Sequence, residues 1–440
     1  MTRAGWRLVA RDDFTRTPEL SPAYVDPAGE LVLYNDLATG EAVLVHGSPP
    51  DVDDELRAAW SSTARVGELR PLAPRRPVEG YGTFTFPYGP ISMGVPESGR
   101  FDVLTYGERI LELTPIGGYK ARHVLESVTG ATVRDAALRI ERLAGNFSAS
   151  HVSAFLAAAE SAQGAEVAVE ALWVRALAQE LQRVYNHVHV LARIAEAASQ
   201  NVGAAQAQAL AEQLLRVQGH VFGHRWLFGA LVAGGPAPRL DRGGRSWLAE
   251  ALAAASRTFD ELWGLFLDSR TFVDRIQGTC PVPRDTAVRW GGVGPTLRAC
   301  GVAWDDRLRV PGLPYTDLFL ALPDEKGGDA LARLLVREQE VRASLLLLEQ
   351  MLERWPGSGA GVEPAPPSVA AGRGLGRVEG PSGDLVYDVT VRDGTVVALS
   401  GRTSSQANWP LFAAGMRDAV FTDFHFALES FGLVFAETDG

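Results

Sequence analysis

The chain has 440 residues, 46% hydrophobic and 22% charged, and 42 basic against 53 acidic side chains give a formal net charge of −11. That balance argues against nucleic-acid binding, which needs Lys and Arg clustered against phosphates. The two cysteines, Cys280 and Cys300, stand in no CxxC, which excludes a disulfide scaffold and any site built on four thiolates.

The opening MTRAGWRLVARDDF turns charged too early for a secretory signal or an anchor. No run reaches about 18 uninterrupted apolar residues, so a soluble cytoplasmic chain without its own membrane span is expected. Residues 1–80 read as a small α+β unit, with strands at Glu30 to Asn35 and Glu41 to His46 around the turn-forming Asp36 to Gly40. The Pro- and Arg-rich RPLAPRRPVEG then reads as a linker. Alternation on both sides of Tyr106-Gly107-Glu108 predicts a β-hairpin.

From about 131 to 355 the periodicity is helical. Leu177, Leu181, Val184, Val188 and Leu191 recur at spacings of three and four and make one apolar stripe. Further helices are predicted at roughly 204 to 232, 242 to 270 and 327 to 355. After Pro356 the apolar content falls and a surface loop is expected. A β unit at about 373–402 follows, its hairpin turning at Arg392-Asp393-Gly394, with Gly374, Gly376 and Gly380 assigned to turn chemistry. A short helical piece and the apolar tail FALESFGLVFAETDG close the chain.

Six segments occur in order: GPISMGVPESGRFDVLTYGERILELTPIGGYKAR, IERLAGNFSASHVSAFLAAAE, VRALAQELQRVYNHVHVLA, GVGPTLRACGVAWDDR, GRVEGPSGDLVYDV and ANWPLFAAGMRDAVFTDFHFALESFGL. This succession resembles the large subunit of group 4, membrane-bound [NiFe] hydrogenases and the homologous 49-kDa-type subunit of respiratory complex I. The resemblance spans residues 81–440. It implies an α+β fold whose mainly α-helical body is that of the [NiFe] hydrogenase large subunit, with small β-hairpin units in its N- and C-terminal parts.

The resemblance also implies a nickel-iron centre on two CxxC pairs, since soft thiolates suit those metals. Here the four positions hold Ala144 and Phe147 in ERLAGNF, and Val434 and Glu437 in FGLVFAETDG. None supplies a thiolate, so no metal is expected there. The family's proton-relaying glutamate in R-G-x-E falls on Leu125, with Arg122 retained. The complex I branch implies a quinone site from a histidine in G-P-x-H and a nearby tyrosine. Ser92 and Gly145 occupy those places, and a serine cannot deliver a proton as an imidazolium does.

Polar family positions do survive: Asp305 and Arg307 in DDR, Glu180, Arg183 and His187 on one helix face, Asn408-Trp409-Pro410, and His151 after the first vanished CxxC. Arg142 stands beside that vanished pair. A buried ion-pair network is the simplest account of Glu180, His187, Asp305 and Arg307, because buried charges persist only when paired. The default readings are a backbone-bonded core histidine for His151 and a solvated tail carboxylate for Glu437. His220 and His224 lack a third zinc ligand.

The function implied is a metal-free component of a membrane-associated, complex I-like assembly, peripheral on the inner face of the cell membrane. It would couple an iron-sulfur small subunit to membrane subunits, the cluster being the partner's and no cofactor being bound by this chain. The alternatives are an active oxidoreductase subunit that reduces a quinone or another small carrier, and a free-standing scaffold.

Overall fold

A computed structural model describes residues 6–46, 80–92, 94–95, 97–235, 240–309, 312–356 and 370–438. All of the expected linker at 70–80 except Gly80, and most of the loop after Pro356, lie outside them. The N-terminal strands are β1 (Trp6–Ala10), β2 (Leu20–Val25), β3 (Leu31–Asp36) and β4 (Glu41–His46). They form one sheet in the order β1-β4-β3-β2, β1 parallel to β4 and the rest antiparallel.

β2 and β3 are buried along their whole length, which explains the apolar run Leu31 to Tyr34: a strand covered on both faces has no solvent side to keep polar. Val32, Tyr34, Val43 and Val45 join a core with Phe101, Val288 and Trp409. On the other face Tyr24, Leu31, Leu33 and Leu44 pack with Val386. The residues read as a separate unit therefore share both of their cores with the rest of the chain.

A second sheet is ordered β5-β6-β7, from β5 (Thr83–Tyr88), β6 (Arg100–Tyr106) and β7 (Arg109–Ile116). The turn between β6 and β7 falls at the expected hairpin, with Gly107 in the left-handed region at φ 60°. Helices follow in the order α1 (Val124–Val128), α2 (Val133–Ile140), α3 (Ser148–Gln163), α4 (Val169–Ala197), α5 (Asn201–Phe222) and α6 (Arg242–Leu267). The predicted stripe Leu177, Leu181, Val184, Val188 and Leu191 lies in α4 and in the main helical core. Short helices α7 (Arg270–Ile276), α8 (Arg284–Arg289), α9 (Gly294–Arg298) and α10 (Asp306–Arg309) lead to the long α11 (Ala330–Glu353).

The third sheet, β10-β9-β8, comprises β8 (Ala371–Gly380), β9 (Gly383–Arg392) and β10 (Thr395–Arg402). Asp393 and Gly394 both have positive φ, which matches the twist of a two-residue hairpin. Turn chemistry does not explain the other glycines. Gly372, Gly374 and Gly376 lie within β8, and a Cβ on each would stand 2.1, 2.2 and 2.0 Å from the carbonyl oxygens of Ala162, Ala158 and Ala154 on α3. Alternate glycines in the strand face alanines one helical turn apart, so α3 lies on the bare backbone of β8. The chain ends with α12 (Ser404–Gly415), α13 (Phe424–Phe431) and a single 3-10 turn at Phe435–Glu437.

Candidate functional site

The two segments aligned with the family's cysteine pairs meet. A 3-10 turn at Gly145–Phe147 runs into α3, where His151 lies one helical turn beyond Phe147. Ala144 and Phe147 are buried and Val434 is half-buried. Glu437 is 0% exposed, as is His151, and the His151 Nε2 lies 3.1 Å from Glu437 Oε1. The reading of Glu437 as a solvated tail carboxylate is thus overturned: the tail folds inward.

The tail is held along its length. Phe435 donates its backbone N–H to the Glu97 carboxylate, and its ring stacks on Trp409 at 4.4 Å between centroids. Val434 N–H donates to Ser405 Oγ at 3.1 Å, Thr403 Oγ1 to the Glu437 carbonyl at 3.1 Å, and Ser382 Oγ to the Gly432 carbonyl at 3.0 Å. A Cβ at Gly99 would stand 1.9 Å from the Phe435 ring, so glycine makes room for it.

The Glu437 carboxylate faces the N-terminus of α12. It accepts from Ser404 Oγ at 3.1 Å, from Ser405 N–H at 3.0 Å and from the Ser405 hydroxyl. The helix start itself is fixed by a capping box in which Thr403 and Gln406 bond each other's backbone N–H. His151 Nδ1 pairs with the Tyr387 hydroxyl at 2.9 Å. That hydrogen bond goes to a side chain, not to backbone as the default reading had it. Burial, with Glu437's charge behind it, pushes the Tyr387 phenol up from its ordinary range. No Lys or Arg is paired with Glu437 among the described contacts.

A second buried cluster gathers the other polar positions. Glu180 accepts from Tyr315 Oη at 2.7 Å, Ser344 Oγ at 2.6 Å and Arg307 Nη1 at 3.1 Å, with Arg183 at 3.4 Å. Burial opposes its charge, yet Arg307 and Arg183 prevail and hold its pKa below the usual range. Asp305 grips Arg307 in a bidentate pair, at 3.0 and 2.7 Å. Glu340 is shared by Arg298 at 2.7 Å and His187 Nε2 at 2.8 Å. Because Arg337 donates to Nδ1 at 3.0 Å, His187 carries its proton on Nε2 and donates it to Glu340. Burial lowers the His187 pKa to about 4. Glu379, bound to Arg298 at 2.9 Å, is raised by burial to about 7.

Glu180, His187, Asp305 and Arg307 are thus brought into one network, as the helix-face spacing implied. The remaining predicted residues stand elsewhere. Arg122 donates to the Leu143 carbonyl, next to Ala144. Arg142 is half-exposed, pairs with Glu141 and lies 4.8 Å over the Phe228 ring. Ser92 is half-buried, and its hydroxyl has no hydrogen-bond partner among the described residues. His220 lies tilted against the Trp247 ring and His224 stacks on Phe228. Among the described residues, no three His, Cys, Asp or Glu are placed to hold a metal ion.

Tyr387, Ser404, Ser405, Arg298, Glu340 and Glu379 were missed in the sequence. Only the T-x-x-Q spacing at Thr403 to Gln406 offered a local signal, that of a helix start.

Comparison with known proteins points to the large-subunit frame of membrane-bound hydrogenases and of the complex I 49-kDa-type subunit as what this chain is similar to. Residues 204–366 match the family described as the respiratory-chain NADH dehydrogenase 49 Kd subunit. The chain is 27% identical over 344 residues to the carbon monoxide-induced hydrogenase of Rhodospirillum rubrum, covering 78% of this chain and 95% of that one. It is 28% identical over 356 residues to an NADH-quinone oxidoreductase subunit of Chlorobium phaeovibrioides, covering 77% and 88%. In fold it matches a chain of the membrane-bound sulfane sulfur reductase, an archaeal respiratory membrane complex, with a TM-score of 0.77 at 21% identity over 83% of this chain and 100% of that chain. The chain is thus similar both to hydrogenase subunits and to NADH-quinone oxidoreductase subunits.

Proposed function

We propose that the chain is a metal-free, hydrogenase-large-subunit-like component of a membrane-associated, complex I-like redox assembly. In this reading it docks an iron-sulfur small subunit onto membrane subunits at the inner face of the cell membrane and passes conformational or charge changes between them. The observation that carries it is the inward-folded tail: Glu437 sits against His151 and the start of α12, where the family resemblance puts a metal centre.

The nickel-iron group does not fit these residues. The four cysteine positions offer three hydrocarbon side chains and one carboxylate, which is already bonded by two serines and faces a histidine. Soft-metal ligation has no sulfur to use there. No helix among the described residues is long and apolar enough to cross a membrane, so attachment in this reading comes through partner subunits. Purified assembly containing this chain is expected to hold iron from partner clusters and no stoichiometric nickel by elemental analysis. One nickel per chain overturns the proposal.

One observation favours the second reading, reduction of a quinone or another small carrier: the Ser92 hydroxyl, in the loop after Pro90, is buried and has no hydrogen-bond partner among the described residues, as a donor to a carbonyl would. That reading expects Ser92→Ala to raise KM for a quinone in the intact assembly, and an unchanged KM removes its support.

A further inference from the structure

The surroundings of Glu437 have the composition of an anion site rather than that of a salt bridge. Its carboxylate meets one backbone N–H, from Ser405, at the start of a twelve-residue helix, α12. Two hydroxyls, of Ser404 and Ser405, complete the donors on that side. Helix N-termini favour negative charge because their first N–H groups lack intrahelical partners and the helix dipole points its positive end there.

An independent observation comes from the opposite side. His151 is 0% exposed, and its Nε2 faces Glu437 Oε1 at 3.1 Å without the alignment of a hydrogen bond. With Nδ1 engaged by the Tyr387 hydroxyl, Nε2 is the imidazole nitrogen left to face the carboxylate. Four converging groups thus surround an oxyanion, none of them a guanidinium or an ammonium. Glu437 reaches them from the chain's own tail.

We propose that His151, Ser404 and Ser405 form an oxyanion-binding cage whose resident ligand is the chain's own Glu437 carboxylate, and which accepts a small free carboxylate when that side chain is removed. The proposal stands on this geometry alone and is independent of the assembly in which the chain works. The atoms deleted by Glu437→Ala, a methylene and a carboxylate, are those of acetate less one hydrogen. The cage so emptied keeps its donors, since Ser404 and Ser405 sit at the start of α12, which Thr403 and Gln406 fix without the Glu437 side chain, and His151 sits within α3. A buried donor set left without its acceptor is costly, so an exogenous acceptor of the same shape is bound.

The test uses the full-length chain carrying Glu437→Ala, with acetate as the probe and chloride at equal ionic strength as the control. A lowered unfolding midpoint in chloride is expected, rising with the logarithm of acetate concentration once sites fill. Neither the native chain nor the double variant Glu437→Ala/Ser405→Ala should respond to acetate in this way. A folded Glu437→Ala that ignores acetate overturns the proposal. So does an equal response in the native chain, or a single variant as stable as the native chain in chloride. If Glu437→Ala does not fold in chloride, recovery of folded chain on refolding in acetate is the readout, and no recovery overturns it.

Discussion

The two buried polar regions differ in how they neutralise charge. Around Glu180 and Glu340 each carboxylate is met by guanidinium groups, and Arg298 alone touches Glu340, Glu379 and Asp305. Around Glu437 a single carboxylate is met by hydroxyls, a backbone N–H and an imidazole. The first is a closed set of charges that holds α4, α9 and α11 together with β8. The second is one polar side chain seated in a place built of small donors. The network joins elements from the middle and the end of the chain, whereas the tail site lies where the family resemblance implies a metal centre and this chain carries Ala144, Phe147, Val434 and Glu437 instead.

The sharpest way to break the network is Glu340→Ala, which takes from Arg298 one of its three carboxylates and leaves the His187 Nε2–H without an acceptor in a dry interior. Removing one partner of a buried pair costs about 3–5 kcal/mol, and the loss is expected in denaturant unfolding of the full-length chain. A loss under about 1 kcal/mol would show that the network is not closed. Glu437→Gln is expected to cost less, about 2 kcal/mol, because it exchanges charge-assisted bonds for neutral ones and leaves no orphaned cation. If the two variants cost the same, the distinction between the regions fails.

The third prediction concerns proton uptake. The Glu379 carboxyl titrates at about 7 in the folded chain against an ordinary value of 4.5, because burial outweighs Arg298. Between those values the folded state binds more protons than the unfolded state, so this group's contribution to stability falls as pH rises from 4.5 to 7. His187, lowered from 6.5 to about 4, acts in the opposite sense, adding stability as pH rises through that interval. Glu379→Gln should therefore leave a stability profile that climbs more steeply between pH 5 and about 7 than that of the native chain. Identical profiles would place the proton elsewhere. The smallest effect is expected at the surface, where Arg342→Ala removes a pair with Asp260 whose members are 46% and 51% exposed and should change stability by less than about 1 kcal/mol.

Much of this was legible wherever the physics is local. The hairpins at 106–109 and 392–395 and the stripe on α4 come from turn chemistry and periodicity. Glu180, Arg183 and His187 share a helix face whatever surrounds it. The burial of Glu437 is different in kind, because its partners lie at 151, 404 and 405, and nothing beside it in sequence announces them. Likewise, glycines at 372, 374 and 376 carry a period of two that marks a strand face, but only the approach of α3 gives that period its meaning. Tertiary partners decided each reading that failed.

The doubly covered N-terminal sheet has a consequence for the order in which the molecule is made. Tyr24 Oη pairs with Asp388 at 3.3 Å and Ser400 at 2.8 Å, across separations of 364 and 376 residues. Asp26 likewise waits for Arg373. These strands are synthesised more than 300 residues before the partners that cover one of their faces, and until then that face is open. Long-range closure of this kind slows folding and exposes strand edges. That exposure ends only once the β8–β10 unit has been synthesised and folded against them.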